Sequence, residues 1–85
     1  MDVINKIYGE FIGAEIAVTI KHGSVSVLYG KTSKKMLDEI QITCKIHGVE
    51  SGSIFLIKNF TGYTVKTRGD AVKIEQSLMN AVNLC

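Results

Sequence analysis

The apolar residues of this chain change their spacing several times, and the order of these changes constrains the fold more than any other feature. Apolar and polar side chains alternate over residues 16–29, and apolar residues then recur every three or four positions over 36–47. The same two patterns return in the same order over 54–67 and 71–85. Alternation is typical of a β-strand with one buried face, and the longer spacing is typical of an amphipathic helix. The sequence therefore predicts two consecutive β-β-α units.

Turn and capping residues mark the ends of these elements. Lys21-His22-Gly23 separates two alternating runs and predicts a β-hairpin, after which Ser33 is the expected N-cap of a helix that ends at Gly48. In the second unit Asn59-Phe60-Thr61-Gly62 is the predicted turn, and Asp70 is positioned to cap the last helix.

The two units match each other in phase. A shift of 38 positions brings Ile16 onto Ile54 and Ile40 onto Leu78, although few residues are identical. Neither a linker nor a low-complexity segment separates the units, so one domain is expected over the 85 residues. Its predicted parts are a leading segment at 1–13, a first unit at 14–48 and a second unit at 49–85.

A further helix is predicted ahead of the first strand. Val3, Ile4, Ile7, Tyr8, Phe11 and Ile12 recur at helical spacing. We therefore expect an amphipathic helix over Asp2–Ile12 that ends at Gly13.

Helices with a single apolar stripe need a sheet to cover. The predicted fold is therefore α+β: a leading helix and then β-β-α-β-β-α, with a four-stranded antiparallel sheet and its helices packed on one face. The residues expected to face those helices are Ile16, Val18, Ile20, Val25, Val27, Tyr29, Ile54, Leu56, Tyr63 and Val65.

The opposite face of this sheet is too apolar to be an ordinary solvent-exposed surface. Leu28, Phe55 and Ile57 point there if the strands alternate regularly. The leading helix, a second subunit or a ligand could each cover them, and the sequence leaves these alternatives open. The first hypothesis is that the protein is a non-enzymatic interaction module, either a homodimer or a domain with another protein partner. Its expected contacts are Leu28, Phe55 and Ile57, or Tyr8 and Phe11 of the leading helix.

The alternative hypothesis is weak nucleic-acid binding. Lys21, Lys58, Lys66 and Arg68 fall at hairpin ends or on the second sheet face, near Phe55. An aromatic residue among cations on a sheet is how several modules stack the bases of single strands. The net charge of +2 adds little to this hypothesis, because it is too small to indicate nucleic acid by itself.

Other chemistry finds little support in the sequence. With 85 residues, of which 46% are hydrophobic, the core takes up most of the chain. Cys44 and His47 are neighbours on a helix, but a catalytic dyad needs a third, orienting group, so no enzyme activity, cofactor or metal is expected. The two cysteines form neither a disulfide framework nor a zinc pattern, and no signal peptide or membrane span is recognisable, so a cytoplasmic location is expected.

From Ile16 to Leu84 the chain resembles a family of small bacterial proteins of unknown function, which often carry an N-terminal membrane anchor. The resemblance lies in the hairpin from Gly23 to Lys31, a helix with Cys44 in its middle, Gly52-Ser53-Ile54, and a final helix with Glu75, Gln76 and Asn80. The resemblance implies the order β-β-α-β-β-α and no functional residues. Here a short amphipathic helix is predicted where the anchor would be.

Overall fold

The alternating and helical stretches of the sequence fold largely as predicted. The computed structural model describes residues 12–83. The predicted leading helix lies outside them, apart from Ile12, which forms a turn with Gly13. The described part begins with a strand. Its elements are β1 (Ile16–Lys21), β2 (Ser24–Tyr29), α1 (Lys34–Ile46), β3 (Gly52–Asn59), β4 (Gly62–Arg68), a 3₁₀ helix (Gly69–Ile74) and α2 (Glu75–Asn83).

The strands form one antiparallel sheet in the order β2-β1-β3-β4. β1 and β3 are therefore central, and Ala17 pairs directly with Phe55. β2 and β4 are the edges of this four-stranded sheet. The α+β class and the antiparallel four-stranded sheet are confirmed.

Both helices pack on one face of the sheet. Their buried stripes join the alternate residues of the strands in the main hydrophobic cluster. α1 contributes Met36, Ile40 and Cys44, and α2 contributes Leu78 and Val82. The main cluster also includes Ile16, Val18, Ile20, Ile54, Leu56 and Val65.

Two of the three predicted capping signals are correct. The Ser33 side chain accepts a hydrogen bond of 3.1 Å from the Met36 backbone N–H, and Gly48 follows α1 with φ +68°. The prediction that Asp70 caps the last helix is wrong. The chain passes from β4 into the 3₁₀ helix, whose N-cap position is Arg68 and has no side-chain capping bond, so Asp70 lies inside the first turn.

The expected orientation of Tyr29 is also wrong. Val27 pairs with Val18 and Tyr29 pairs with Ala17, which leaves Leu28 as an extra residue in β2. Such a β-bulge shifts the alternation by one position. As a result both Leu28 and Tyr29 lie on the face opposite the helices.

Candidate interaction surface

The sheet face opposite the helices, called here the outer face, is divided into an apolar end and a polar end. The polar end carries a row that runs across all four strands: Ser26, Thr19, Ser53 and Arg68. The apolar end carries a second hydrophobic cluster, separate from the main one. Its members are Ile12, Ala14, Ala17, Leu28, Tyr29, Phe55 and Ile57.

The middle of the outer face is buried. Phe55 and Ala17 have no accessible surface, and their polar neighbours Ser53 and Thr19 are only 4% and 7% exposed. Within residues 12–83, no helix contributes a side chain to the second cluster. The buried strip therefore runs along β1 and β3 on the side that neither described helix covers.

The segment ahead of β1 is fixed to this face. The Tyr29 hydroxyl donates a hydrogen bond of 3.1 Å to the Ala14 carbonyl oxygen, and the Glu15 backbone N–H donates one of 2.9 Å to the Leu56 carbonyl oxygen. Ile12 packs against the second cluster. The bulge that turns Tyr29 to the outer face thus brings the preceding chain to the apolar end.

The predicted contact residues do not share one environment. Phe55 is completely buried, whereas Leu28 and Ile57 are partly exposed at the margin of the second cluster. A side chain without accessible surface contacts a partner only if its cover moves, so Leu28 and Ile57 are the accessible members of the predicted set. Tyr8 and Phe11 lie outside the described residues.

The predicted nucleic-acid residues are exposed, but they do not all share a face. Lys66 pairs with Phe55 and Arg68 with Ser53, which places both on the outer face, as alternation also places Lys21. Lys58 pairs with Tyr63, which packs against the main cluster. Lys58 therefore lies on the helix side of the sheet and not on the outer face. The Phe55 ring has no accessible surface on which a base could stack.

Side-chain amides cap both edges of the sheet. Gln41 of α1 accepts a 2.9 Å hydrogen bond from the Val25 N–H and donates one of 2.6 Å to the Gly23 carbonyl oxygen. Asn83 of α2 accepts one of 2.7 Å from the Tyr63 N–H and donates one of 3.0 Å to the Tyr63 carbonyl oxygen. These groups would otherwise be available to an added strand, so the caps oppose edge-to-edge pairing at these positions.

A cleft beside α1 has few reactive groups that are free to act. It has a volume of about 410 Å³ and lies between the β1–β2 turn and the second half of α1. The Gln41 amide that lines it already bonds to β2. Cys44, which also lines the cleft, is buried, and burial raises the pKa of its thiol, so it remains a protonated, weak nucleophile near neutral pH.

Residues 12–83 contain neither a cluster of potential metal ligands nor a helix that could span a membrane. Among residues 12–83, no group of three or more His, Cys, Asp or Glu side chains is placed to hold a metal ion. Neither α1 nor α2 is long and apolar enough to cross a membrane.

Comparisons of the chain with protein-family models, curated protein sequences and solved structures found no match. Function therefore has to be inferred from the surface itself. The alternation of the sequence predicted that Leu28, Phe55 and Ile57 lie on the outer face. It did not predict that Tyr29 and the segment from Ile12 to Ala14 also lie there. No residue signals the bulge, although a glycine, Gly30, directly follows the strand that contains it.

Proposed function

We propose that this protein is a non-enzymatic interaction module that self-associates through the apolar end of its outer face. The observation that supports the proposal is the second hydrophobic cluster, with Leu28 and Ile57 partly exposed at its margin. A partner that covered them would remove apolar surface from water.

The capped edges favour contact through a face over strand addition. Gln41 and Asn83 already satisfy backbone groups of β2 and β4. A second copy that contacts the same apolar end would form an isologous interface, in which each chain presents Leu28 and Ile57 to the other. Tyr8 and Phe11 of the predicted leading helix are the alternative contact set of this proposal.

The proposal keeps the cytoplasm as the place of action, because the free cysteine in the core, Cys44, needs no oxidising compartment. Membership of the small bacterial family that the chain resembles is part of the same proposal.

Light scattering after size-exclusion chromatography, over a wide range of concentrations, tests self-association. We expect a dimer that Ile57→Lys shifts to monomer, because the substitution places a charge in an apolar interface. The matched control is Ile42→Lys, since Ile42 is 50% exposed on α1 and belongs to neither hydrophobic cluster. A strict monomer at every concentration contradicts the proposal, and so does a dimer that only Ile42→Lys dissociates.

A second candidate is weak nucleic-acid binding, which the exposed cations Lys21, Lys66 and Arg68 on the outer face favour. Titration of single-stranded and duplex oligonucleotides at several salt concentrations tests it. Binding that weakens steeply with salt and is reduced by Lys66→Glu supports this candidate, and no binding at low salt removes it.

A further inference from the structure

We infer that Phe60, at the tip of the β3–β4 turn, anchors a two-fold contact in which each copy of the chain places this ring in a cleft of the other copy. The contact rests on the proposed self-association and identifies its anchor residue. It extends the interface from the apolar end of the outer face to the adjoining end of the sheet.

The β3–β4 turn presents an aromatic ring to solvent. Asn59 pairs with Gly62, so Phe60 and Thr61 form a two-residue turn, a position where small or polar residues are the usual choice. The Phe60 side chain is fully exposed and belongs to neither hydrophobic cluster. The ring therefore adds nothing to the core, and all of its apolar surface is available to a partner.

Hydrogen bonds hold the turn that carries the ring. The Asn59 side-chain oxygen accepts bonds of 3.0 Å from the Thr61 backbone N–H and 3.2 Å from the Thr61 hydroxyl. The Asn59 amide group donates a bond of 2.7 Å to the Thr64 hydroxyl. These bonds fix the chain on both sides of Phe60. A contact made by a preorganised turn loses less conformational entropy than one made by a mobile loop.

A cleft beside the ring continues the apolar end of the outer face. The described residues that line this cleft, about 510 Å³ in volume, are Glu15, Lys58, Asn59 and Phe60. Pockets of about 300–1,000 Å³ hold whole small ligands, so the space is sufficient for one aromatic ring. Glu15 directly follows Ala14, and Lys58 directly follows Ile57. Because Ala14 and Ile57 belong to the second cluster, one partner can cover the cleft and the apolar end together.

The charges of the cleft favour a second copy as this partner. Glu15 and Lys58 are exposed and opposite in charge, and within residues 12–83 neither side chain has an ion-pair partner. In a two-fold contact Glu15 can face the partner's Lys58 while Lys58 faces the partner's Glu15. Two complementary pairs then flank the Phe60 rings. A uniformly acidic or basic partner would match only one of the two charges.

Measuring the dimer dissociation constant by sedimentation equilibrium tests the anchor. Phe60→Ser should raise this constant by about 100-fold, because each dimer loses two buried rings and a tenfold change per ring is within what burial of a phenylalanine contributes. The matched control is Val72→Ser, since Val72 is exposed on the 3₁₀ helix and belongs to neither cluster. It should leave the constant unchanged, and circular dichroism verifies that both variants are folded.

Charge exchange tests the identity of the partner. Glu15→Lys or Lys58→Glu alone should raise the dissociation constant by about fivefold, because like charges then face each other at two exposed positions of the dimer. The double variant with both substitutions should return the constant to that of the natural chain. A double variant that dimerises no better than the single variants would overturn the two-fold arrangement.

The variants also separate this contact from the proposed function. A dimer that Ile57→Lys dissociates and Phe60→Ser leaves intact would overturn the anchor and keep self-association through the outer face. A dimer that Phe60→Ser dissociates and Ile57→Lys leaves intact would support the anchor and contradict the proposed function. A natural chain that stays monomeric at every concentration would overturn both.

Discussion

The two β-β-α halves agree on the helix side of the sheet and differ on the outer face. A shift of 38 residues relates Ile16 to Ile54 and Ile40 to Leu78, and all four are buried in the main cluster. On the outer face the same shift relates Ala17 to Phe55, Thr19 to Ile57 and Leu28 to Lys66, pairs that differ in size or polarity.

The sheet register places this difference at the centre of the molecule. Ala17 and Phe55 are counterparts in the two halves and also direct partners across β1 and β3. Half a turn about an axis between them exchanges β1 with β3 and β2 with β4. In both halves the strand residues that pack against the helices are apolar. The residues of the outer face contact neither described helix, so they can differ between the halves. The two halves therefore differ mainly on the outer face.

The largest expected effect comes from removing the aromatic member of the central pair. Phe55→Ala should destabilise the domain by about 3–5 kcal/mol, because Phe55 is completely buried. The exchange variant Ala17→Phe with Phe55→Ala should recover part of that loss, since paired residues on one sheet face occupy nearly the same space. Urea denaturation measures both, and an exchange variant no more stable than Phe55→Ala would refute the equivalence of the two positions.

The bulge in β2 gives the second largest expected effect. Gly30, just after it, has φ +90°, and a Cβ atom there would overlap the Glu15 carbonyl oxygen and lie 2.9 Å from the Ile16 Cα. Its counterpart in the other half, Arg68, has an ordinary extended φ of −136°. Gly30→Ala should therefore cost about 3 kcal/mol, as the sum of a strained φ and a backbone collision.

Gly48→Ala is the matched control for Gly30→Ala. Gly48 has a similar φ of +68°, but a Cβ atom added there would have no neighbour within 4 Å, so the cost should be about 1 kcal/mol. Thermal or urea denaturation compares the two variants. If Gly30→Ala and Gly48→Ala lost the same stability, the close approach of Gly30 to the backbone of Glu15 and Ile16 would not contribute to the cost.

The bulge also shows what sequence reasoning could and could not supply. Regular alternation predicted which residues of β1, β3 and β4 face the helices, because those strands keep a period of two. It placed Tyr29 on the wrong face, because an extra residue in a strand changes neither composition nor hydrophobicity. The bulge depends on the fit of β2 to β1, which is a contact between separate segments.

The candidate surface was predictable only in part for a similar reason. Alternation predicts that Leu28 and Ile57 lie on the outer face, and the sequence alone shows that this face is too apolar for an ordinary solvent-exposed surface. The complete burial of Phe55 depends on a cluster whose members, among them Ala14 and Leu28, come from segments that are distant in the sequence. Likewise, Asp70 is a good capping residue in isolation, but the 3₁₀ helix that places it inside a turn results from how β4 leads into α2.

The two edge caps should differ in strength. Gln41 makes its bonds to β2 in a partly buried position, whereas Asn83 makes its bonds to β4 in an exposed one. Gln41→Ala should cost about 1–2 kcal/mol and Asn83→Ala about 0.5–1 kcal/mol, since water replaces an exposed hydrogen bond more readily. Amide hydrogen exchange should quicken at Val25 in the first variant and at Tyr63 in the second, and a larger loss for Asn83→Ala would contradict this ranking.

The smallest effect at neutral pH is expected at Cys44, whose counterpart in the second half is Val82. Both are buried in the main cluster, so Cys44→Val should change stability by less than about 1 kcal/mol at pH 7. The difference should appear in alkali. Burial raises the pKa of the Cys44 thiol in the folded protein above the ordinary 9.0, so above that pH the unfolded chain releases a proton that the folded chain keeps.

The stability of the natural chain should consequently fall as pH rises above about 9, while below it the thiol is protonated in both states and has no effect. Groups common to both proteins cancel when the natural chain and Cys44→Val are compared by urea denaturation at each pH. The stability gained by the variant should therefore grow with pH above that value. If the stability difference between the natural chain and Cys44→Val stayed constant with pH, the core would accommodate the thiolate. Cys44 and its counterpart Val82 would then be equivalent at every pH tested.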